Sequence, residues 1–387
     1  MEKLVRKKPS AEVSNLTKQL PRVLHIVQAL RGGGAEALVR ELVPRLRQRG
    51  IDARVLCAYG ASGLTDVEAP DWTGVMYCQP RAGVPRLRYL ERMWRLLREI
   101  EPTVVHTHTH VGAVWGRTAA VLARVPQIVH TEHGSDNETV SAIEAVALGA
   151  LSYRTDATVT FSERSAALAR TRGPLRKLHI IPNGIRVRPP PTESDRHTAR
   201  LELRFARDLI AIGLIANLFP HKNPTLAIDA IARLPDRTRA FVQLAIFGDG
   251  PMREDLVAYA KALGIEASVQ FYGFRSDLVR LLPGLDLVVT TSPREMMPIS
   301  LLESMNAGLP IIGVPHAGTL DLVVDRETGI IVRSWDPQGF SEAIEWAVGQ
   351  PQWRARAGNE AYTRLKKEFD IETVADRHAA LYRSLTG

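Results

Sequence analysis

Residues 287–314 read LVVTTSPREMMPISLLESMNAGLPIIGV. Leu287–Thr290 is an apolar run of strand length, and Ile311 to Val314 is another. Between them, Pro298 suits the first turn of a helix, because its missing N–H would have no partner there anyway. Gly308-Leu309-Pro310 then closes that helix. Strand, turn, helix and strand in this order make the repeating unit of a buried parallel sheet. The helix start leaves the N–H groups of Ile299, Ser300 and Leu301 free, and with the helix dipole they form an anion site suited to a phosphate. Glu295 lies just before that site, and Glu303 roughly one turn inside the helix. A carboxylate can accept two hydroxyl hydrogen bonds from a ribose or a hexose. A lone pair of glutamates would equally serve as a helix-terminal charge and a solvated face; the surrounding strand, turn and Gly-Pro stop favour the ligand role.

The same alternation runs outward in both directions. Downstream of the linker, strands are expected at Leu209 to Leu214, Val242 to Phe247, Val269 to Tyr272, Leu287 to Thr290, Ile311 to Val314 and Gly329 to Val332. Upstream they are expected at Val23 to Val27, Ala53 to Ala58, Val104 to His108, Gln127 to Thr131, Val159 to Phe161 and His179 to Ile181. Leu38, Leu42 and Leu46 face inward on a helix from Glu36 to Arg49, and another helix falls near Ala113 to Arg124. RVRPPPTESD, residues 186–195, interrupts the pattern, since three consecutive prolines continue neither a helix nor a central strand. The fold class is therefore α/β, with two Rossmann-like doubly wound domains facing across a cleft. The boundaries expected are a flexible basic arm over 1–20, a first domain over 21–185, a linker over 186–207, a second domain over 208–368, and a helix over 369–387 packing back on the first domain.

At 387 residues, two domains with a sizeable core each are the natural division. The net charge of +8 admits an anionic substrate or an anionic membrane surface. No zinc-finger spacing, RNP-like strand or helix-turn-helix pattern accompanies it, so nucleic acid is not an expected partner. Cys57 and Cys78 each sit in an apolar strand-like context and read as small buried hydrophobes, which fits a reducing compartment. No apolar stretch follows the charged N-terminus, and none reaches the length of a membrane span; a cytoplasmic protein without a secretory signal is expected.

The segment from Ser292 to Pro310 resembles the E-x7-E signature of family 4 retaining glycosyltransferases of GT-B fold. The resemblance runs from Val23 to Tyr382. It includes the glycine loop after the first strand, Val104-Val105-His106, Ile181-Pro182-Asn183-Gly184-Ile185, Gly248-Asp249-Gly250-Pro251 and Tyr272-Gly273-Phe274. It implies that Glu295 approaches the donor sugar and phosphates and that Glu303 binds the nucleotide ribose, with Met297, Ile299 and Ser300 around the diphosphate. Retention of configuration is likewise only implied by the resemblance.

Lys222, in IANLFPHKNP (residues 215–224), follows a strand and can reach the donor diphosphate, where a cation would neutralise the charge on the leaving phosphate. The resembling family usually carries arginine where Asn217 stands, so a second phosphate contact loses its charge and its fork; Arg294 or Arg253 are the available substitutes. Gly248 and Gly250 end one strand at a turn that borders the nucleotide in the family, and Gly273 and Phe274 end another, where the base is held. The resemblance places Gly33 and Gly34 across the cleft, near donor phosphate and acceptor. Gly32 to Ala37 also matches a dinucleotide fingerprint, but the second strand ends at Cys57-Ala58-Tyr59 without the acid that fingerprint needs. His133 falls where the family has an active-site histidine touching the donor sugar, with Glu132 a weaker candidate; a loop histidine capping a strand is the plain alternative. His106, His108 and His110 alternate and would share one face of a strand. Alternation alone does not make a zinc site, and the family is metal-independent, so neither metal nor cofactor is expected.

PRLRYLERMWRLLREIE, residues 85–101, is amphipathic. Leu87, Tyr89, Leu90, Met93, Trp94, Leu96, Leu97 and Ile100 fall in one half circle, opposite Arg88, Arg92, Arg95 and Arg98. It reads as a sheet-covering helix with a solvated arginine face, or as a dock for anionic lipid helped by Lys3, Arg6, Lys7 and Lys8. The second reading puts the protein peripherally on the inner face of the cell membrane. The function expected is transfer of a sugar from a nucleotide-diphosphate sugar, with UDP-sugars first, to a hydroxyl of a glycan or lipid-linked acceptor in polysaccharide or glycolipid synthesis. Two alternatives stay open: a nucleotide-sugar epimerase or phosphorylase of the same fold, and a non-catalytic nucleotide-sugar or glycan-binding protein.

Overall fold

The computed structural model describes residues 20–28, 30, 33–58, 75–77, 86–134, 142–170, 175 and 177–387. Two all-parallel sheets form its two halves. In the first, β1 (Arg22–Val27), β2 (Asp52–Cys57), β3 (Val75–Tyr77), β4 (Val104–His108), β5 (Gln127–Thr131), β6 (Ala157–Thr160) and β7 (Leu178–Ile180) lie in the order β3-β2-β1-β4-β5-β6-β7. In the second, β8 (Ile210–Ile215), β9 (Val242–Phe247), β10 (Val269–Gly273), β11 (Leu287–Thr290), β12 (Ile311–Gly313) and β13 (Gly329–Ile331) lie in the order β10-β9-β8-β11-β12-β13. The strands are mostly apolar because helices cover both faces; every residue of β4 and β11 is buried, His106, Thr107 and His108 included. In each sheet the strand order reverses once, between β1 and β4 and between β8 and β11. Such a reversal opens a crevice at the strands' carboxyl ends, where ligands of doubly wound sheets bind.

The chain crosses between the halves twice, and the two crossings pair. Ile185 donates its N–H to Phe369 O at 3.1 Å, and Ile371 donates to Ile185 O at 3.0 Å. A Cβ on Gly184 would lie 2.7 Å from Val374 Cγ2, so a larger residue there would force the crossings apart. The Ile371–Thr386 helix then packs on the Gly34–Gln48 helix, with Arg45–Glu372 and Arg49–Asp376 ion pairs at 2.7 and 2.6 Å. Its Tyr382 is fully buried in the first half.

Several expectations needed correction. The linker over 186–207 contains a helix, Glu193–Glu202, begun by a capping box in which the Thr192 hydroxyl accepts from the Asp195 N–H. The strand β3 adds a seventh strand that three residues gave no pattern to reveal. His110 does not share a strand face with His106 and His108: β4 stops at His108, and Thr109, with φ at 58°, turns the chain into a helix. Trp94 is not on the buried face of the Arg86–Ile100 helix but is 38% exposed, while Tyr89, Met93 and Leu97 are buried. Residues 1–19 of the basic arm expected over 1–20, together with Gly32, Tyr59 and Cys78, lie outside the described residues. Cys57 is buried in β2.

Candidate functional site

The crevice between β8 and β11 gathers the charged candidates. After β8 the chain runs through Asn217 into a single turn, Pro220–Lys222, which ends at Asn223 in the left-handed region with φ at 47°. After β11 it passes Thr291, whose hydroxyl donates to Lys222 O at 2.9 Å and ties the two loops together. Lys222 Nζ donates to Glu295 Oε1, and both side chains keep about a fifth of their surface exposed. A cation and a carboxylate thus stand side by side at the strand-order reversal.

The helix that follows runs Ile299–Asn306. Pro298 is its N-cap in extended conformation, one position earlier than the sequence reading placed it. The Leu301 N–H is taken by Pro298 O at 3.2 Å, so the free donors are those of Ile299 and Ser300 rather than all three. The Glu303 carboxylate, half-buried, makes no hydrogen bond or ion pair among the described residues. Burial pushes its pKa up to about 7, against a smaller opposing pull from Arg188 and Arg40. A carboxyl group held out of water without a protein donor can, when ionised, accept hydrogen bonds from hydroxyl groups.

Two glycines after β9 stack against the β8 loop. Gly248 has φ at 131°, and a Cβ there would fall 2.0 Å from Ala216 O. A Cβ on Gly250 would fall 2.5 Å from Leu218 O. Both glycines therefore set the path of the backbone carrying Asn217, whose own side chain is exposed. Gly273 has φ at 68° and its carbonyl accepts from the Gly248 N–H at 2.8 Å, while Phe274 is 59% exposed at the end of β10. Arg253 lies against Gly273 and pairs with Asp249 at 3.3 Å; Arg294 is exposed.

The first domain closes the other wall. Gly34 comes within contact of Ile299, with a Cβ on it 3.5 Å from Ile299 Cγ1, and Gly33 caps the same helix start, Gly34–Gln48. Glu36, beside Gly33, is pushed up to about 7 by burial. Gly134, with φ at 67°, lies against Met296, where a Cβ would approach to 2.7 Å. His133 is half-buried one residue earlier, and burial pulls its pKa down to about 3, so its ring is neutral at physiological pH. Phe161, Ala169 and Ile185 of the first domain share one apolar cluster with Met296, Met297 and Ile299 of the second.

Three positions supporting the loop over 293–298 were not singled out in the sequence. Asn183, 2% exposed, donates its side-chain amide to Met297 O at 2.7 Å, and its backbone N–H points at Met297 Sδ at 3.2 Å. The Gly318 N–H donates to Glu295 O at 2.9 Å, and a Cβ on Gly318 would sit 2.6 Å from Pro298 Cδ. His316 caps the helix Ala317–Leu322 beneath the loop. Asn183 lies in the conspicuous IPNG stretch; Gly318 and His316 carried no signal.

Two Rossmann-like domains with a charged crevice and a helix N-terminus between them define a GT-B protein. Comparison with known proteins agrees: residues 195–364 match the family of glycosyl transferases group 1, and residues 32–188 match Glycosyltransferase Family 4. A putative glycosyltransferase of Bacillus subtilis, EpsD, is 30% identical over 310 residues, covering 76% of this chain and 81% of its own. An Escherichia coli UDP-Gal:alpha-D-GlcNAc-diphosphoundecaprenol alpha-1,3-galactosyltransferase is 26% identical, covering 79% and 81%. Among solved structures, Anabaena HepE in complex with UDP-glucose superposes with a TM-score of 0.82 at 23% identity, over 94% of this chain and 99% of that one. The chain belongs to glycosyltransferase family 4, and it is a glycosyltransferase.

Proposed function

We propose that this enzyme transfers a sugar from a UDP-sugar to a hydroxyl of a glycan or lipid-linked acceptor, with retention of configuration, in polysaccharide or glycolipid assembly. The observation that carries the reading is the meeting of Lys222 and Glu295 at the β8–β11 crevice, beside a helix start and the unpartnered carboxylate of Glu303. The diphosphate lies against the Ile299 and Ser300 N–H groups and Lys222. Glu303 accepts from the ribose hydroxyls, and Glu295 and His133 orient the sugar. The acceptor oxygen bonds to the anomeric carbon as the bond from that carbon to the phosphate oxygen breaks. The departing diphosphate takes the acceptor proton, and Lys222 and the helix dipole stabilise the charge that develops on it. Attack on the face from which the diphosphate leaves gives retention. The UDP and UDP-glucose complexes of HepE and the UDP-Gal donor and lipid-linked acceptor in the E. coli relative's name support the choice of substrates.

The exposed arginines 88, 92, 95 and 98, with Trp94 among them, support a second element: docking on an anionic membrane surface, on its cytoplasmic side. Among the described residues no helix is long and apolar enough to cross a membrane.

Incubation with UDP-, GDP- and ADP-sugars and undecaprenyl-diphosphate-linked acceptors tests the reaction. Release of UDP together with an α-linked product from an α-linked donor is the expected result. Release of an inverted product, or donor conversion that needs no acceptor, would overturn it.

A further inference from the structure

Beneath the cleft the first domain holds a set of histidines of which the transfer step uses only His133. His25 on β1 and His106 and His108 on β4 are fully buried. Nitrogens of these three lie within 4.8 Å of one another, the scale of a metal site. Their partners argue otherwise. His106 Nδ1 meets the Tyr382 hydroxyl at 2.6 Å and its Nε2 meets Thr131 Oγ1 at 2.7 Å, so neither nitrogen is free for a metal. The group contains no carboxylate to offset a buried dication. A metal-bound imidazole ordinarily donates its second N–H to a carboxylate or carbonyl, and His25 Nε2 has no such partner among the described residues.

What remains is a hydrogen-bonded chain of imidazoles leading to the cleft. His25 Nδ1 lies 3.1 Å from His108 Nε2, and His108 Nδ1 lies 3.1 Å from His133 Nε2. Each neutral ring has one N–H and one lone pair, so only two arrangements satisfy both bonds. If His133 donates inward, His108 donates to His25, and His25 must carry its proton on Nε2. That leaves a buried N–H with no acceptor among the described residues. If His25 donates from Nδ1, His108 donates from Nδ1 in turn, and the orphan is a bare lone pair. Buried N–H groups without acceptors are rarer than buried acceptors left short of donors. The second arrangement is favoured, and it places the His133 proton on Nδ1, the nitrogen of that ring without a partner among the described residues.

We propose that His25 and His108 are positioning residues that fix His133 in its Nδ1–H tautomer, so that the ring offers the donor sugar an N–H rather than a lone pair. This rests on the reading of His133 as a contact of the donor sugar. Neither buried histidine touches substrate; they act through the ring between them and the cleft.

The test is nitrogen-15 NMR of the full chain with labelled histidine, His133→Gln assigning the His133 signals. The wild-type protein is expected to show His133 with a protonated Nδ1 and an unprotonated Nε2. In His108→Phe that preference is lost, and kcat/KM for the donor falls by about three- to tenfold, the worth of one hydrogen bond, with UDP affinity unchanged. His25→Phe moves the tautomer in the same direction. A wild-type His133 protonated on Nε2, a His133 unchanged in both folded variants, or stoichiometric zinc retained on His25, His106 and His108 would each overturn the proposal. The wild-type spectrum decides alone if the variants do not fold. UDP binding measured on the same samples separates the two ideas: absence of UDP binding counts against the donor site, whereas the wrong tautomer in a protein that binds UDP counts against the relay.

Discussion

Lys222 and Glu295 leave neighbouring parallel strands, β8 and β11, and meet as an ion pair across the crevice between them. The Thr291 hydroxyl on Lys222 O and the Gly318 N–H on Glu295 O hold the backbone on either side. Each charge is thereby kept in place and partly out of water by the other. In the proposed donor complex the two exchange partners, Lys222 for the diphosphate and Glu295 for the sugar hydroxyls.

Replacing Lys222 with Ala removes the cation proposed to meet the leaving group and leaves Glu295 half-buried without its partner. Turnover is expected to fall by about a hundredfold or more, the effect of losing one group that stabilises transition-state charge. Steady-state kinetics with the donor varied would check this; wild-type turnover would exclude Lys222 from the reaction.

The proposed ribose contact of Glu303 makes donor binding depend on pH. Its ordinary value of 4.5 is raised to about 7 by burial, so the folded protein without donor holds this proton more tightly than the unfolded chain. Its contribution to stability therefore declines as pH rises from about 4.5 to 7 and is flat beyond. Glu303→Gln should stabilise the unliganded protein by about 1–2 kcal/mol at pH 8 and by nothing at pH 4. In the proposed donor complex the carboxylate form accepts from the ribose, so wild-type affinity for a UDP-sugar should weaken as pH falls through 7. Denaturant unfolding and calorimetric titration at several pH values measure the two effects. An affinity flat between pH 6 and 8 would remove Glu303 from the ribose site.

Gly248 is a backbone constraint. At φ of 131°, with Ala216 O 2.0 Å from where a Cβ would stand, alanine must displace main chain rather than a flexible side chain. Gly248→Ala should cost about 2–4 kcal/mol of stability and weaken donor binding by moving the Asn217 loop. Unfolding curves of the two proteins show it; equal midpoints would mean that the loop yields freely.

Much of this was legible in the sequence, and the limits are instructive. Strands such as β11 and β12 are buried on both faces, and their apolar runs announce a parallel sheet. Glu295 and Glu303 stood out because the strand, helix start and Gly-Pro stop around them are local in sequence. The helix Glu193–Glu202 was hidden, since only Ala199 of it is buried and no apolar period marks it. His25 carried no signal of its own in the strand Val23 to Val27, because its partner His108 lies 83 positions away. Asn183 depends in the same way on Met297, 114 positions away. Contacts of that range come from topology, which local pattern does not encode.

The membrane element has its own test. Changing Arg92, Arg95 and Arg98 to Glu reverses charge on an exposed helix face and should leave turnover on a soluble acceptor intact. Flotation with vesicles containing anionic lipid should drop sharply, by about 1 kcal/mol for each arginine lost. Equal flotation of both proteins, or no preference of the wild type for anionic over neutral vesicles, would contradict docking through this helix.

The most direct measurement is calorimetric titration of UDP into the wild-type protein, Lys222→Ala and Glu303→Ala, with GDP and ADP as controls. The account predicts binding of UDP to the wild type, weakened by about tenfold or more in each variant, the worth of a lost charged contact. No binding of any nucleoside diphosphate to the folded wild type, or binding unaffected by both substitutions, would contradict a donor site at the β8–β11 crevice.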